Sequence, residues 1–444
     1  MLEFGYKQEL KRSLGFWDLL IYGIIFMVPI APFGIYGYVA KGSQGMVALA
    51  YLIGMTAMFF TAHSYARLAE VFPIAGSIYS YAQRGMNQHL GFFAGWVILL
   101  DYILLPAILC LVSATALHNI VPELPIPFWL IFFIAINTII NVWGIEITAK
   151  ANRVIVILEV GVLLVFILVG MIAIVQSGNL FSWQPLYHPE KFSFPAVMPA
   201  ASIAVFSFLG FDAISTLSEE AKGRKQMVGK AMIYSLLVVG LMFIIQTWVA
   251  ALIAPDYTAF SNLNSAFYQI AEKAGGPALR WITIIATALA WGIANAMVAQ
   301  AAISRILYSM ARDKKLPGLL AKVHPKFKTP YLSILLVAGI SLVITVFFQE
   351  RIDDLAALVN FGALTAFLIL HLTVINYFLL RNRSQNYLAH LILPGIGLLI
   401  IGYLWLNLGE LAKQLGFVWV CVGILYMIIM RLLKKDGFQS EFFS

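Results

Sequence analysis

The sequence predicts an all-α membrane protein of about twelve spanning helices, and three observations predict it. Of its 444 residues, 61% are hydrophobic and only 11% are charged, with a mean hydropathy of +0.88. A soluble domain carries roughly a quarter charged residues. This chain therefore lacks the polar side chains to cover a water-facing surface, and lipid must cover much of it. Second, apolar runs near the length that crosses a bilayer, about twenty residues, are separated by clusters whose lysine and arginine content alternates. Third, two of these runs, five apart in order, are interrupted by proline, glycine or a buried acid.

In chain order the spans are read near 16–40, 46–70, 90–118, 126–145, 153–175, 195–219, 229–253, 278–308, 331–348, 354–379, 388–408 and 412–432. Residues 1–15 form a polar, amphipathic cytoplasmic segment. They are not read as part of a cleavable leader, because the first apolar run is long and flows into a helical hairpin. Residues 16–379 form a ten-helix transport core, 380–432 add two further spanning helices, and 433–444 form a cytoplasmic tail. The eighth run is long and is expected to continue into the cytoplasm as helix.

With the N-terminus inside, 23 of the 29 lysines and arginines fall in inside segments, seven of them from Arg305, at the inner end of the eighth span, through the loop that follows it. Only Lys41, Lys191, Lys273, Arg280, Arg351 and Lys413 fall outside. This excess is expected of a chain with both termini on the cytoplasmic side and an even number of spans. It also accounts for the net charge of +8 and the pI near 9.3 without invoking nucleic acid as a partner. Cys110 and Cys421 lie inside apolar runs with no disulfide or metal-ligand spacing, and read as packing residues. No phosphate-binding loop, zinc constellation or nucleophile triad is present. ATP-driven transport and enzymatic turnover are therefore not expected, and neither is a cofactor.

The first span contains MVPIAPFGIYG, residues 27–37. Pro29 and Pro32 each remove a backbone N–H, and Gly34 and Gly37 loosen the chain. Freed carbonyls in lipid must find partners. A proline kink is one reading and a broken span is the other. The sixth span contains FSFLGFDAISTLSEE, residues 206–220, where Gly210 precedes Asp212 deep in an apolar run. An ionisable group there is costly and faces a bundle interior or cavity, unless it only caps a helix end. Since five is odd, a repeat of five spans returns with inverted topology. Paired interruptions in two inverted halves point to a midplane substrate site in a secondary carrier.

At these residues the sequence resembles the amino acid–polyamine–organocation superfamily of permeases. Residues 206–223, FSFLGFDAISTLSEEAKG, are similar to the sixth-helix signature of that family, and RLAEVFPIAGSIYSYAQRGMNQHLGFFAGW, residues 67–96, to its connection between the second and third helices. LLDYILLP (99–106), VHPKFKTP (323–330) and NFGALTAF (360–367) resemble its bacterial putrescine importer branch. The resemblance implies a five-plus-five inverted repeat with discontinuous helices one and six, and alternating access around helices one, three, six, eight and ten. It places Phe206 where relatives carry an aromatic that stacks on and occludes substrate, and Asp212 where they carry an acid linked to gating or proton coupling. Two departures matter. Amino-acid-transporting relatives bind the substrate carboxylate with a Gly-Ser-Gly type stretch, and here that stretch reads VPIAPFG, whose prolines cannot donate. An Asn-Pro after the Glu-Glu pair is replaced by KGRKQMVGK.

Asp101, about ten residues into the third span, and Asp212 are buried carboxylates with no buried lysine or arginine, which suits a cationic substrate. A desolvated carboxylate favours its protonated form and a bound ammonium favours the charged one. Such a group can hold a proton when empty and trade it for an amine. A diamine such as putrescine wants an acceptor at each end and an apolar, aromatic middle. Phe206, Phe208, Tyr102 and Trp96 are candidates for that lining, with Trp96 equally readable as an interfacial anchor. Pro29, Ala31 and Ser207 complete the candidate substrate site. Glu159 in the fifth span, with Glu219 and Glu220 at the end of the sixth, are candidates for gating or coupling. His63 and His371 read as packed rather than as proton relays, and GFFAG, residues 91–95, as close helix packing. The expected partners are a polyamine or amino acid, a proton or other coupling ion, and the lipid bilayer. The function expected first is import of a small organic cation. Amino acid permeation or exchange on the same fold, and a non-transporting membrane sensor, are the alternatives.

Overall fold

A computed structural model describes residues 14–74, 77–143, 146–178, 182–218, 221–222, 226–312, 316–327 and 329–432. Ten apolar segments in it are long enough to cross a membrane. One bent helix pair and the 17-residue helix Tyr331–Phe347 bring the described segments to the twelve expected. Among the described residues the regular structure is helical throughout, and the order of its segments fits five spans, five more and a C-terminal pair.

Span one is two helices, α1 (Phe16–Met27) and α2 (Pro32–Gly42), bent by 59° at residues 28–31. The bend follows from the sequence. Val28 takes φ +52, a conformation a β-branched residue rarely adopts. Pro32 then restarts the helix at its first position, where the missing N–H does no harm. Span two is α3 (Val47–Val71). A short helix, α4 (Ser77–Gly85), leads into α5 (Gln88–His118), which is span three and is buried along nearly its whole length. Spans four and five are α6 (Ile126–Trp143) and α7 (Glu146–Gln176).

Span six is α8 (Phe194–Ala204), a tight turn Val205–Phe208, an extended Leu209, a left-handed Gly210, and a second tight helix Phe211–Leu217. Gly210 has φ +108, and a Cβ there would run into the ring of Phe26 in the last turn of α1. Only glycine satisfies both the backbone and the contact. The two broken spans therefore touch at their breaks. They also meet at one end, where the Lys222 N–H donates to the Leu14 carbonyl (2.8 Å), so span one starts on the face where span six ends.

Span seven is α9 (Gln226–Ile253), packed along α3 and α1. Span eight departs from expectation. The sequence puts its start near residue 278, but helix α10 (Ala266–Leu289) starts earlier and kinks at Gly275 and Gly276. Phe267, Ile270 and Ala271 recur at helical spacing and are buried. Phe267 stacks on Phe33 of α2, with ring centroids 3.9 Å apart. Span eight then passes through a wide turn, Ala290–Asn295, into α11 (Ala296–Arg312). Such turns strand a carbonyl, and Asn137 on α6 donates to that of Gly292 at 2.7 Å.

Spans nine and ten are α12 (Tyr331–Phe347) and α13 (Ile352–Val374), the latter extended by a wide turn to Arg381. The hairpin consists of α14 (Leu393–Leu406), preceded by a wide turn from Leu388, and α15 (Glu410–Leu432). α15 docks on span three through a reciprocal clasp. Trp96 Nε1 donates to the Trp419 carbonyl and Trp419 Nε1 to that of Trp96, both at 2.9 Å, with the rings stacked. This removes Trp96 from the expected lining, because its indole is committed to the hairpin.

Candidate functional site

The breaks of spans one and six face span three, and this places the two acids together. Asp212 follows Gly210 in the first turn of the segment Phe211–Leu217 and is 2% exposed. Its Oδ2 accepts from the hydroxyl of Tyr102 on α5 (3.3 Å) and from that of Tyr65 on α3 (3.5 Å). Asp101 directly precedes Tyr102 on α5, the residue whose hydroxyl bonds Asp212, and is 4% exposed. The Asp101 Oδ1 is buried with no hydrogen-bond partner. Span ten backs this corner closely: a Cβ on Gly362 would lie 2.8 Å from the Asp101 nitrogen. Neither acid makes an ion pair among the described residues. Burying a charge unpaired costs several kcal/mol, and an unsatisfied buried acceptor is itself uncommon. The corner therefore holds a buried acceptor with no donor among the described residues.

Phe206, in the turn before the break, meets Trp291 of span eight at 5.9 Å between ring centroids. Trp291 sits in the wide turn Ala290–Asn295, is fully buried, and lies against Gly34 of α2, where a Cβ would come within 3.4 Å of its ring. Its Nε1 has no partner. Spans one, six and eight thus converge on an aromatic pair. Ser207 is spent differently, its Oγ lying 3.2 Å from the Tyr51 hydroxyl of α3. Phe208 packs its ring on Phe243 and Tyr51, between spans two and seven. In the first break, the Ala31 N–H bonds the Val28 carbonyl (2.8 Å), and the Pro29 carbonyl accepts from Gln246 Nε2 of span seven (2.9 Å).

Glu159 on α7 is 2% exposed and its Oε2 has no partner. Glu219 and Glu220 lie outside the described residues. His371 is held by Ser64 (2.9 Å) and Thr61 (3.4 Å) and packs against Gly397, as a structural histidine does. Cys110 is buried and Cys421 exposed, both free. No cluster of three or more metal-ligating side chains occurs among the described residues.

Four residues that sequence reasoning missed contact the candidate residues: Tyr51 at Ser207, Tyr65 at Asp212, Gln246 at Pro29 and Trp291 at Phe206. Gln246 alone carried a signal, as an amide deep in an otherwise apolar run. The tyrosines and the tryptophan looked like any other aromatics in a chain that is 14% aromatic.

Comparison with known proteins bears on the whole of this architecture. The amino acid permease family profile matches residues 14–433. The chain is 33% identical to the low-affinity putrescine importer PlaP of Escherichia coli K12 over 429 residues, covering 95% of this chain and 94% of that one. It is 28% identical to the branched-chain amino acid permease BcaP of Bacillus subtilis over 458 residues, covering 97% and 95%. It is 27% identical to the methylthioribose transporter of the same organism over 461 residues, covering 96% and 95%. The family relation, the twelve helical segments and the two broken spans agree, and the chain is a multi-pass membrane transporter, not an enzyme, that belongs to the amino acid permease family of the amino acid–polyamine–organocation superfamily.

Proposed function

We propose that the protein imports a small organic cation, putrescine or a related polyamine, by alternating access coupled to protons. The observation that carries this reading is the pair of buried carboxylates, Asp101 and Asp212, which lack a cationic partner among the described residues beside the two broken spans. An ammonium entering there would find acceptors at both acids. The Phe206–Trp291 pair would cover its methylenes, and aromatic faces also attract cations.

The first break supports the same choice. A substrate carboxylate needs free N–H groups. Pro29 and Pro32 have none, and those of Val28, Ala31, Phe33 and Gly34 already bond the carbonyls of Ile25, Val28, Ile30 and Ala31. Only the Ile30 N–H is left over, and a nest of successive N–H groups would have to undo these bonds. The putrescine importer among the relatives fits this reading. The branched-chain permease keeps amino acid transport as the alternative.

Coupling is assigned to carboxylates that can be emptied of protons as amine binds, with Glu159 as a candidate carrier of the coupling proton because it is buried and unpartnered. Glu219 and Glu220 are proposed as gate residues on the resemblance alone. A cell-membrane location is proposed on the resemblance, and cytoplasmic termini on the alternation of the basic residues. A C-terminal reporter that is active only in the cytoplasm checks that orientation.

The deciding experiment is uptake of labelled putrescine into proteoliposomes, with and without an inward proton gradient, against a panel of amino acids. Gradient-stimulated putrescine uptake is expected. Folded protein that takes up amino acids but no diamine would transfer the assignment to amino acid permeation, and uptake of neither would remove the transport reading.

A further inference from the structure

The first break contains a carbonyl that the sequence itself orphans. In a helix the Pro29 oxygen would accept from the N–H of residue 33, and in a tighter turn from that of residue 32. Residue 32 is proline and has no N–H. The Phe33 N–H is turned to the Ile30 carbonyl at 3.0 Å. At membrane depth an unpaired carbonyl is costly, so a donor must come from elsewhere in the fold.

It comes from Gln246, 217 positions away on α9, whose Nε2 donates at 2.9 Å. The same nitrogen also donates to the Met242 carbonyl of its own helix at 3.0 Å, which fixes the side chain in place. Gln246 is fully buried, and its Oε1 is left without a partner. Leaving an amide oxygen unsatisfied is unfavourable, so an amide here is a poor choice for simple packing. It is a good choice for supplying a donor to span one.

The inverted repeat relates span one to span six and span two to span seven. A brace from span seven to the break of span one therefore has a counterpart from span two to the break of span six. That counterpart is present: the Tyr51 hydroxyl on α3 meets the Ser207 Oγ, in the turn just before Gly210, at 3.2 Å. The two braces use different chemistry at related places in the fold.

We infer that Gln246 is a positioning residue, which holds the first break of span one in the geometry that receives substrate, with Tyr51 as its counterpart at the second break. Gln246 acts on the substrate only through the shape of the break. This inference deepens the transport reading and rests on it for its kinetic consequence, while the brace itself can be measured without any substrate.

The test is a double-mutant cycle between Gln246→Leu and Pro32→Ala. The first removes the donor. The second returns a backbone N–H one turn from the Pro29 carbonyl, so it is predicted to make Gln246 dispensable. In a background of Cys110→Ala and Cys421→Ser, Ala31→Cys reports on the break through its rate of labelling by a small thiol reagent. Gln246→Leu is expected to change that rate at least about threefold and to raise the KM of putrescine uptake about fivefold, with kcat per folded molecule changed less than about twofold. With Pro32→Ala also present, both quantities are expected to return to the values of Pro32→Ala alone. Gln246→Met, closer in shape, serves the same cycle if the leucine variant does not fold. Additive effects, with no rescue by Pro32→Ala, would overturn the inference. Absent uptake by the unsubstituted protein would remove the transport reading, while the labelling cycle would still decide the brace.

Discussion

Replacing Asp212 by asparagine keeps the shape of the side chain and removes its charge. The tyrosine cage should survive. Both hydroxyls reach the same oxygen, Oδ2, so an amide oxygen at that position can go on accepting from Tyr102 and Tyr65. Folding and membrane insertion are therefore expected to change little, within the roughly 0.5–1.5 kcal/mol of one ordinary hydrogen bond. Substrate binding is different. An ammonium in this corner would exchange a hydrogen bond to a charged acceptor for one to a neutral amide, in a place from which water is excluded. Hydrogen bonds to charged groups contribute about 1.5–3 kcal/mol. Against the roughly 0.5–1.5 kcal/mol of an ordinary hydrogen bond the loss is about 1–1.5 kcal/mol, and at about 1.4 kcal/mol per factor of ten the KM for putrescine should rise about 5- to 12-fold. The assay is initial uptake into proteoliposomes over a range of putrescine concentrations, normalised to folded transporter by size-exclusion chromatography. Asp101→Asn should behave alike, since its unpartnered Oδ1 is the acceptor closest to being free. Unchanged KM in both variants would show that the two acids serve the fold and not the substrate, and the cation site would have to be abandoned.

Three further outcomes are expected. Gly210→Ala places a Cβ at φ +108 and against the Phe26 ring; left-handed strain of about 1–2 kcal/mol and overpacking of about 1–3 kcal/mol together predict at least a tenfold loss of uptake, and wild-type uptake would mean the second break is not fixed by this glycine. Trp291→Leu removes the aromatic partner of Phe206, so putrescine affinity should fall about three- to tenfold, in line with about 0.5–1.5 kcal/mol for an aromatic pair, while Trp291→Phe retains most of it. Glu159→Gln should leave exchange of external for internal putrescine intact and abolish accumulation driven by a proton gradient; persistence of gradient-driven accumulation would exclude Glu159 as the proton carrier.

Several of these residues were legible in the sequence because their signals are one-dimensional. An apolar run of spanning length is visible without knowing its neighbours, and so is a proline or glycine that interrupts it. The alternation of basic residues marked the number of segments for the same reason. Asp101 and Asp212 stood out because a carboxylate in an apolar run has few alternatives to a buried, polar-lined place. The early start of span eight is not apparent in the sequence because residues 266–274 contain charges and precede Gly275 and Gly276, which interrupt a helical pattern; their buried face becomes apparent only against Phe33.

What the sequence determined by itself was the membrane class, the twelve segments, the two breaks and the identity of the acids. What only the tertiary structure decided was which side chains serve those breaks. Tyr102 reaches Asp212 across 110 positions, Gln246 reaches Pro29 across 217, and Trp96 is claimed by Trp419 across 323. The physical reason is that lipid and protein interior are alike in polarity, so the hydropathy of a spanning helix does not mark which face meets its neighbours. An aromatic or an amide in such a run finds its role from the packing of the other spans, where a backbone carbonyl without a donor or a carboxylate without a cation selects it.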